Sequence, residues 1–149
     1  MSIVMSGLDC HQASIALRER LAFSRPQVQA LLAWLGQQPG VEGCVLLSTC
    51  NRTELYLSGE AETPWRLLCR GAGVPEAELE PYFTTRTEAD AVRHLMEVAC
   101  GLHSQILGEN QIITQVRTAI DLAQEEKTAD PVLAALFRRA VTAGKRART

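Results

Sequence analysis

Two apolar runs constrain this chain more than any other feature. CVLLS spans Cys44 to Ser48 and TELYLS spans Thr53 to Ser58, and only Thr49, Cys50, Asn51 and Arg52 separate them. Runs of this length and composition predict β-strands, and so short a connection predicts a tight turn between antiparallel neighbours. CVLLS is apolar on both of its faces, which predicts a central strand covered from both sides.

The flanking sequence extends the pattern. Ser2 to Leu8 reads as a strand that enters a loop at Asp9, and ALRER (Ala16–Arg20) as a short helix. Ser24 followed by Pro26 marks a helix start, because proline in the first turn gives up an N–H that would have no partner there. Val28, Leu31, Leu32 and Leu35 follow at helical spacing, and Pro39-Gly40 stops the run. Thr63-Pro64 opens a helix through about Cys69, and YFTT (Tyr82–Thr85) is a fourth strand candidate. The order is β-α-β-β-α-β, which predicts an α+β fold: a ferredoxin-like antiparallel sheet lobe over residues 1–86, with helices on one face.

From Thr87 the sequence turns helical, and residues 87–149 are expected to form a helical lobe packed on the sheet. Thr87 with Asp90 suggests a capping box, and a break falls near Gly101. Ile106, Ile113, Val116, Ile120 and Ala123 form one stripe of a second helix. Asp130-Pro131 caps a third, with Leu133, Leu136, Phe137, Ala140 and Val141 inward.

At 149 residues a core needs no staples. The five cysteines are odd in number and include no C-x-x-C, which argues against a disulfide framework or a zinc ribbon. No metal is expected. Neither a membrane-length apolar run nor a signal peptide is apparent, so a cytoplasmic protein is expected. The net charge of −2 excludes wholesale electrostatic binding of nucleic acid, but Arg138, Arg139, Lys145, Arg146 and Arg148 form an acid-free basic stretch. Arg138 with Lys145, and Arg139 with Arg146, recur seven residues apart on one helix face. That face is either a solvated surface or a contact for RNA phosphates.

Cys50 sits among polar neighbours, unlike a packing cysteine. A thiol is a weak nucleophile at neutral pH unless cations or N–H donors favour its anion. Arg52 and the N–H groups of the turn are candidates for that role. A half-buried cysteine in a turn shaped by Asn51 and Arg52 fits the same residues. Three histidines, His11, His94 and His103, are possible assistants, and His94 lies mid-helix in AVRHLMEVA. The stretch GLHSQILGENQ (Gly101–Gln111) reads either as a helix cap and restart or as a turn that brings polar side chains to a ligand.

STCNRTELY (Ser48–Tyr56) and GLHSQILGENQI (Gly101–Ile112) together resemble glutamyl-tRNA reductase, the first enzyme of the tRNA-dependent route to tetrapyrroles such as haem. LRER (Leu17–Arg20) and the terminal KRART extend the resemblance over the whole chain. The resemblance implies that Cys50 takes the glutamyl group from glutamyl-tRNA as a thioester, which NADPH then reduces to glutamate-1-semialdehyde. His94 matches the active-site histidine, placed to protonate the leaving ribose oxygen or to polarise the ester. Arg52 matches the arginine that holds a substrate carboxylate. Thr49, Ser104, Glu109 and Gln111 fall at positions for glutamate binding, and the basic face at Arg138, Arg139, Lys145 and Arg146 becomes a candidate tRNA contact.

The sequence departs from the family pattern where Cys10, followed by His11, replaces a loop histidine. Ser14 stands where proline is common, His103 replaces an aspartate, and Asn110 stands where proline is frequent. The family continues into an NADPH-binding and a dimerisation domain, and no G-x-G-x-x-G opens a helix here; GAGVPE at Gly71 is too short. The chain is therefore expected to be the catalytic domain, able to form or hydrolyse the acyl-enzyme but not to reduce it. The full-length protein is expected to be a homodimer that works with glutamate-1-semialdehyde aminomutase. The competing reading is a non-catalytic module of the same family that binds tRNA, haem or a protein partner.

Overall fold

The structure is a computed structural model and describes residues 2–103 and 111–147. Strand β1 (Ile3–Asp9) leads through helices α1 (Ile15–Glu19) and α2 (Arg25–Leu35) to β2 (Val41–Ser48) and β3 (Arg52–Gly59). Helices α3 (Pro64–Ala72) and α4 (Glu76–Leu79), then a 3₁₀ turn at Glu80–Tyr82, lead to β4 (Thr84–Thr87). Three longer helices follow: α5 (Glu88–Ala99), α6 (Gln111–Glu125) and α7 (Pro131–Ala147). The sheet order is β2-β3-β1-β4 with every neighbouring pair antiparallel, the ferredoxin-like arrangement the element order predicts.

Alternation along β3 sorts the two layers of helices. Thr53 donates to the Leu21 carbonyl in the α1–α2 connection and Cys44 faces the Leu32 carbonyl of α2, so this side of the sheet meets that connection, α2 and α3. Glu54, Tyr56 and Ser58 point the other way: Glu54 meets His94 of α5, Tyr56 packs edge-on against Phe137 of α7, and Ser58 bonds Asp130. Every residue of β3 is buried as a result. Helices cover both faces of the sheet, because the segment after β4 folds back over the face that α2 and α3 leave open.

Several local expectations change. β2 is not central; it is an edge strand, with β4 at the opposite edge. Its apolar sequence answers to α2 and α6, and Thr128 closes its rim: the Cys44 N–H donates to the Thr128 carbonyl (2.8 Å), and the Thr128 hydroxyl donates to the Cys44 carbonyl (3.1 Å). β4 starts two residues later than YFTT suggests, since Glu80–Tyr82 winds into the 3₁₀ turn. Thr87 is the N-cap of α5 but its side chain caps nothing, and Asp90 pairs instead with Arg86. Ser24 and Asp130 cap α2 and α7 as expected, each accepting from the backbone N–H three residues on. Ile106 lies outside the described residues; the rest of its stripe is buried on α6.

Candidate active site

The β2–β3 turn is locked by its own first residue. The Thr49 N–H donates to the Arg52 carbonyl (2.9 Å), and the Thr49 hydroxyl accepts from the N–H groups of Asn51 (3.1 Å) and Arg52 (3.2 Å). Threonine hydroxyls make such local bonds in place of ladder bonds, which ends the pairing and leaves Cys50 at the tip. Helix α1 braces the turn from outside. Arg18 donates through Nη1 to the Cys50 carbonyl (2.8 Å) and through Nε to the Ala13 carbonyl (3.2 Å). One side chain thus ties the β1–α1 loop to the cysteine.

Cys50 is the one exposed cysteine of the five. Cys44 and Cys69 are buried, and burial pushes each thiol up to about 11. Cys10 and Cys100 are half-buried. Cys50 opens on a cleft of about 340 Å³ whose walls include Ile15, Arg18, Ala22, Thr49 and Asn51.

Arg52, two residues on, points into the protein and is 3% exposed. Its Nη1 donates to Glu54 (3.0 Å), its Nη2 donates to the His103 carbonyl (2.8 Å), and Asp9 lies 3.8 Å away. Glu54 is the hub of this network. Its Oε2 also meets His94 Nε2 at 2.7 Å, and its Oε1 accepts from the Tyr56 hydroxyl at 3.0 Å. Burial pushes the Glu54 carboxyl up, but the His94 bond, the charges of His94 and Arg52 and the Tyr56 bond outweigh it, so its pKa lies below the ordinary value. Burial first, and then the Glu54 charge, drive the Tyr56 phenol the other way, well above its ordinary value. Gly7 makes the space: a Cβ there would lie 2.7 Å from Glu54 Cγ.

His94 is buried and lies beside a second, smaller cavity of about 50 Å³, with Gly7, Gln12, Glu54 and His103 among its walls. Among the described residues the two cavities share no lining residue. The His103 ring lies 5.1 Å from the His94 ring and bonds Glu97 through Nε2 (2.9 Å). An imidazole therefore occupies the position where the resemblance leads one to expect a carboxylate. His11 is exposed in the β1–α1 loop. Gln111 is exposed at the start of α6, while Ser104, Glu109 and Asn110 lie outside the described residues. Arg138, Arg139, Lys145 and Arg146 are exposed on α7.

Two residues matter here that sequence reasoning passed over. Glu54 was visible as the lone carboxylate inside an apolar strand, a placement that demands partners. Arg18 gave no signal beyond its place in LRER. Among the described residues no three His, Cys, Asp or Glu side chains converge as a metal site, and no helix is long and apolar enough to cross a membrane.

Comparison with known proteins bears directly on this geometry. A family model described as "Glutamyl-tRNAGlu reductase, N-terminal domain" matches residues 6–149. A protein named glutamyl-tRNA reductase from Acetivibrio thermocellus is 45% identical over 152 residues, covering 100% of this chain and 46% of that protein. One named "Probable multifunctional siroheme biosynthesis protein HemA", from Ruminiclostridium josui, is 44% identical over 100% of this chain and 30% of its own length. The solved structure of glutamyl-tRNA reductase from Methanopyrus kandleri superposes with a TM-score of 0.78 at 35% identity, over 98% of this chain and 34% of that one. The chain spans less than half the length of each of these relatives.

Proposed function

The chain belongs to the glutamyl-tRNA reductase family, whose N-terminal domain it matches, and from that premise we propose that it carries the acyl-transfer step on glutamyl-tRNA in tetrapyrrole biosynthesis. One observation carries the reading: of five cysteines, the only exposed one stands at the tip of a braced turn and opens on a cleft.

The Cys50 sulfur attacks the ester carbonyl carbon. A carbon–sulfur bond forms as the thiol gives up its proton to solvent, the carbon–oxygen bond to the ribose breaks, and the leaving oxygen takes a proton. His94 is the proposed donor. Its Nε2 is committed to Glu54, so Nδ1 is the nitrogen left to handle that proton. General acid help of this kind is worth ~10²–10⁴-fold. A thioester carbonyl is less resonance-stabilised than an oxygen ester, so covalent capture prepares the acyl group for reduction and splits one hard step into two. Arg52 is proposed to meet a substrate carboxylate with the part of its fork that Glu54 and the His103 carbonyl leave unused. Thr49, Ser104, Glu109 and Gln111 are proposed to orient the glutamyl group, and Arg138, Arg139, Lys145 and Arg146 to meet tRNA phosphates.

NADPH does not fit the described residues. The glycines at Gly71 and Gly73 close α3, with Gly73 at φ +70° as its C-cap. Dinucleotide phosphates sit at the opposite pole of a helix, its N-terminus. No step of the mechanism is therefore routed through NADPH on this chain.

The test is intact mass spectrometry after incubation with glutamyl-tRNA, with Cys50→Ser as the control. A glutamyl adduct that maps to Cys50 and is absent from the variant is the expected result. The alternative, a non-catalytic module that binds tRNA, haem or a partner, draws on the separation of the Cys50 cleft from the His94 cavity. Intact tRNA binding with an unmodified thiol would establish that alternative.

A further inference from the structure

We propose that His103 is a positioning residue for Arg52: its ring, bonded to Glu97, fixes the main-chain carbonyl that aims the guanidinium, and the pair thereby favours an acyl group that carries a carboxylate. This inference rests on the acyl-transfer reading and gives a role to an imidazole that stands where the resemblance implies an aspartate.

Arg52 is aimed by two acceptors of unequal firmness. Glu54 lies in the β3 ladder and is held again by His94 and Tyr56, so Nη1 has a fixed partner. The partner of Nη2 is the His103 carbonyl (2.8 Å), in the irregular chain that leaves α5. That chain turns at Gly101, with φ +82°, and Leu102, the neighbour of His103, is 66% exposed. Burial of Leu102 therefore does not hold the carbonyl in place, and polar contacts take over. Glu97 supplies two of them. Its carbonyl accepts from the Leu102 N–H (3.0 Å), and its Oε1 meets His103 Nε2 (2.9 Å). The second contact reaches residue 103 itself. The same bond holds the Glu97 carboxyl below its ordinary range, as a donor to the carboxylate form does.

Charge explains why the residue is an imidazole. Asp9 and Glu54 already line the cavity beside His94, and Glu97 stands within bonding distance of the ring. A carboxylate at position 103 would face Glu97 with no donor between them, whereas the imidazole donates. The tie also stands against the site: the His103 ring lies 5.1 Å from the His94 ring. A guanidinium with fixed acceptors on both Nη groups presents its remaining N–H groups in one set direction, and that planar fork suits a carboxylate better than a neutral amide. The clamp thus bears on the choice of acyl group and not on the sulfur, whose turn is braced separately by Arg18.

The experiment uses two acyl donors, glutamyl-tRNA and glutaminyl-tRNA, which differ by a carboxylate against an amide. His103 and Glu97 are both partly exposed, so the fold is expected to tolerate changes there, with circular dichroism as the check. With glutamyl-tRNA well below saturation, acylation of Cys50 is expected to fall about tenfold in His103→Ala and in Glu97→Ala, the scale of a slightly misplaced contact. The double variant should lose no more, because both changes remove one contact. Saturating donor should restore the parental rate. His103→Gln keeps a donor for Glu97 and should stay near the parental rate, while His103→Asp should lose at least as much as His103→Ala. Acylation by glutaminyl-tRNA should be slower in the parent and unchanged by any of these variants. Equal losses with both donors would show that His103 serves the fold or His94, and no loss with glutamyl-tRNA would show that Arg52 needs no such aim; each overturns the proposal. A second readout does not need acylation. In nuclear magnetic resonance the Arg52 Nη groups should give separate signals in the parent and in His103→Gln, and merge in His103→Ala and Glu97→Ala as the guanidinium turns freely. Signals that stay separate in all four also overturn the clamp. Merging as expected in a protein that neither ester acylates would leave the clamp standing and remove the acyl-transfer reading.

Discussion

Cys50 and Glu54 lie four residues apart on one hairpin and could hardly be treated more differently by the fold. Cys50 is exposed; Arg18 of α1 holds its backbone carbonyl, and Thr49 holds the N–H groups of the next two residues. Glu54 is buried inside the strand ladder, and its side chain is held as well, by Arg52, His94 and Tyr56. A nucleophile has to leave its reacting atom unencumbered, so its position must be fixed through the main chain. A buried charge must have every lone pair answered, so it organises the side chains around it. The hairpin thus divides the work: one end presents the proposed nucleophile, and the other fixes the histidine and arginine proposed to serve it.

Substitutions that separate these two kinds of position test the division, and the largest effect belongs to the exposed end. Cys50→Ser should abolish the acyl adduct and leave stability within about 0.5 kcal/mol, because nothing packs on an exposed thiol; urea unfolding together with mass spectrometry reads both. A large loss of stability would show that the turn depends on the sulfur. His94→Gln should lower the acylation rate by ~10²–10⁴-fold, while alkylation of Cys50 by N-ethylmaleimide keeps its parental rate. Parallel loss of both would mean that the histidine maintains the turn instead of handling a proton.

Glu54→Ala strands Arg52 and His94 without their shared anion and should cost ~3–5 kcal/mol in urea unfolding, the range for breaking one side of a buried pair. Acid tests the same contact. The folded-state pKa of Glu54 lies below its ordinary value of 4.5, so its contribution is fully present above that value. It is lost as pH falls through the lower folded-state value. Unfolding midpoints should therefore drop more steeply below pH 4.5 in the parent than in Glu54→Gln, and identical acid limbs would contradict the assignment. Gly7→Ala presses a methyl group toward Glu54 Cγ and should cost ~1–3 kcal/mol, the usual penalty for overpacking. Arg18→Ala is the mildest, at ~1 kcal/mol for hydrogen bonds near the surface, and should show chiefly as faster hydrogen exchange at Asn51 and Arg52.

The same contrast explains what was legible in the sequence. Strands β2 and β3 and the turn between them could be read from local composition, as could the Ser24 and Asp130 caps, because each depends on neighbours a few residues away. The edge position of β2 could not be read, since its cover comes from α2, α6 and Thr128, the last 84 residues distant from Cys44. The motif around Cys50 pointed to the thiol, but the inward commitment of Arg52 depends on His103 and Glu54 meeting it across the fold. The missing capping box at Thr87 has a local rival, the Arg86–Asp90 pair, that sequence spacing equally allowed.

The way Thr128 fastens the rim of β2 reaches beyond the site. An open sheet edge invites a strand from another molecule, and here the Cys44 N–H and C=O are both already taken by one residue. The opposite edge, β4, is four residues long and includes Arg86, and short, charged edges recruit partners poorly. The sheet is thereby guarded on both flanks against polymerising through strand addition, and a Thr128→Pro change should open the first route to aggregation.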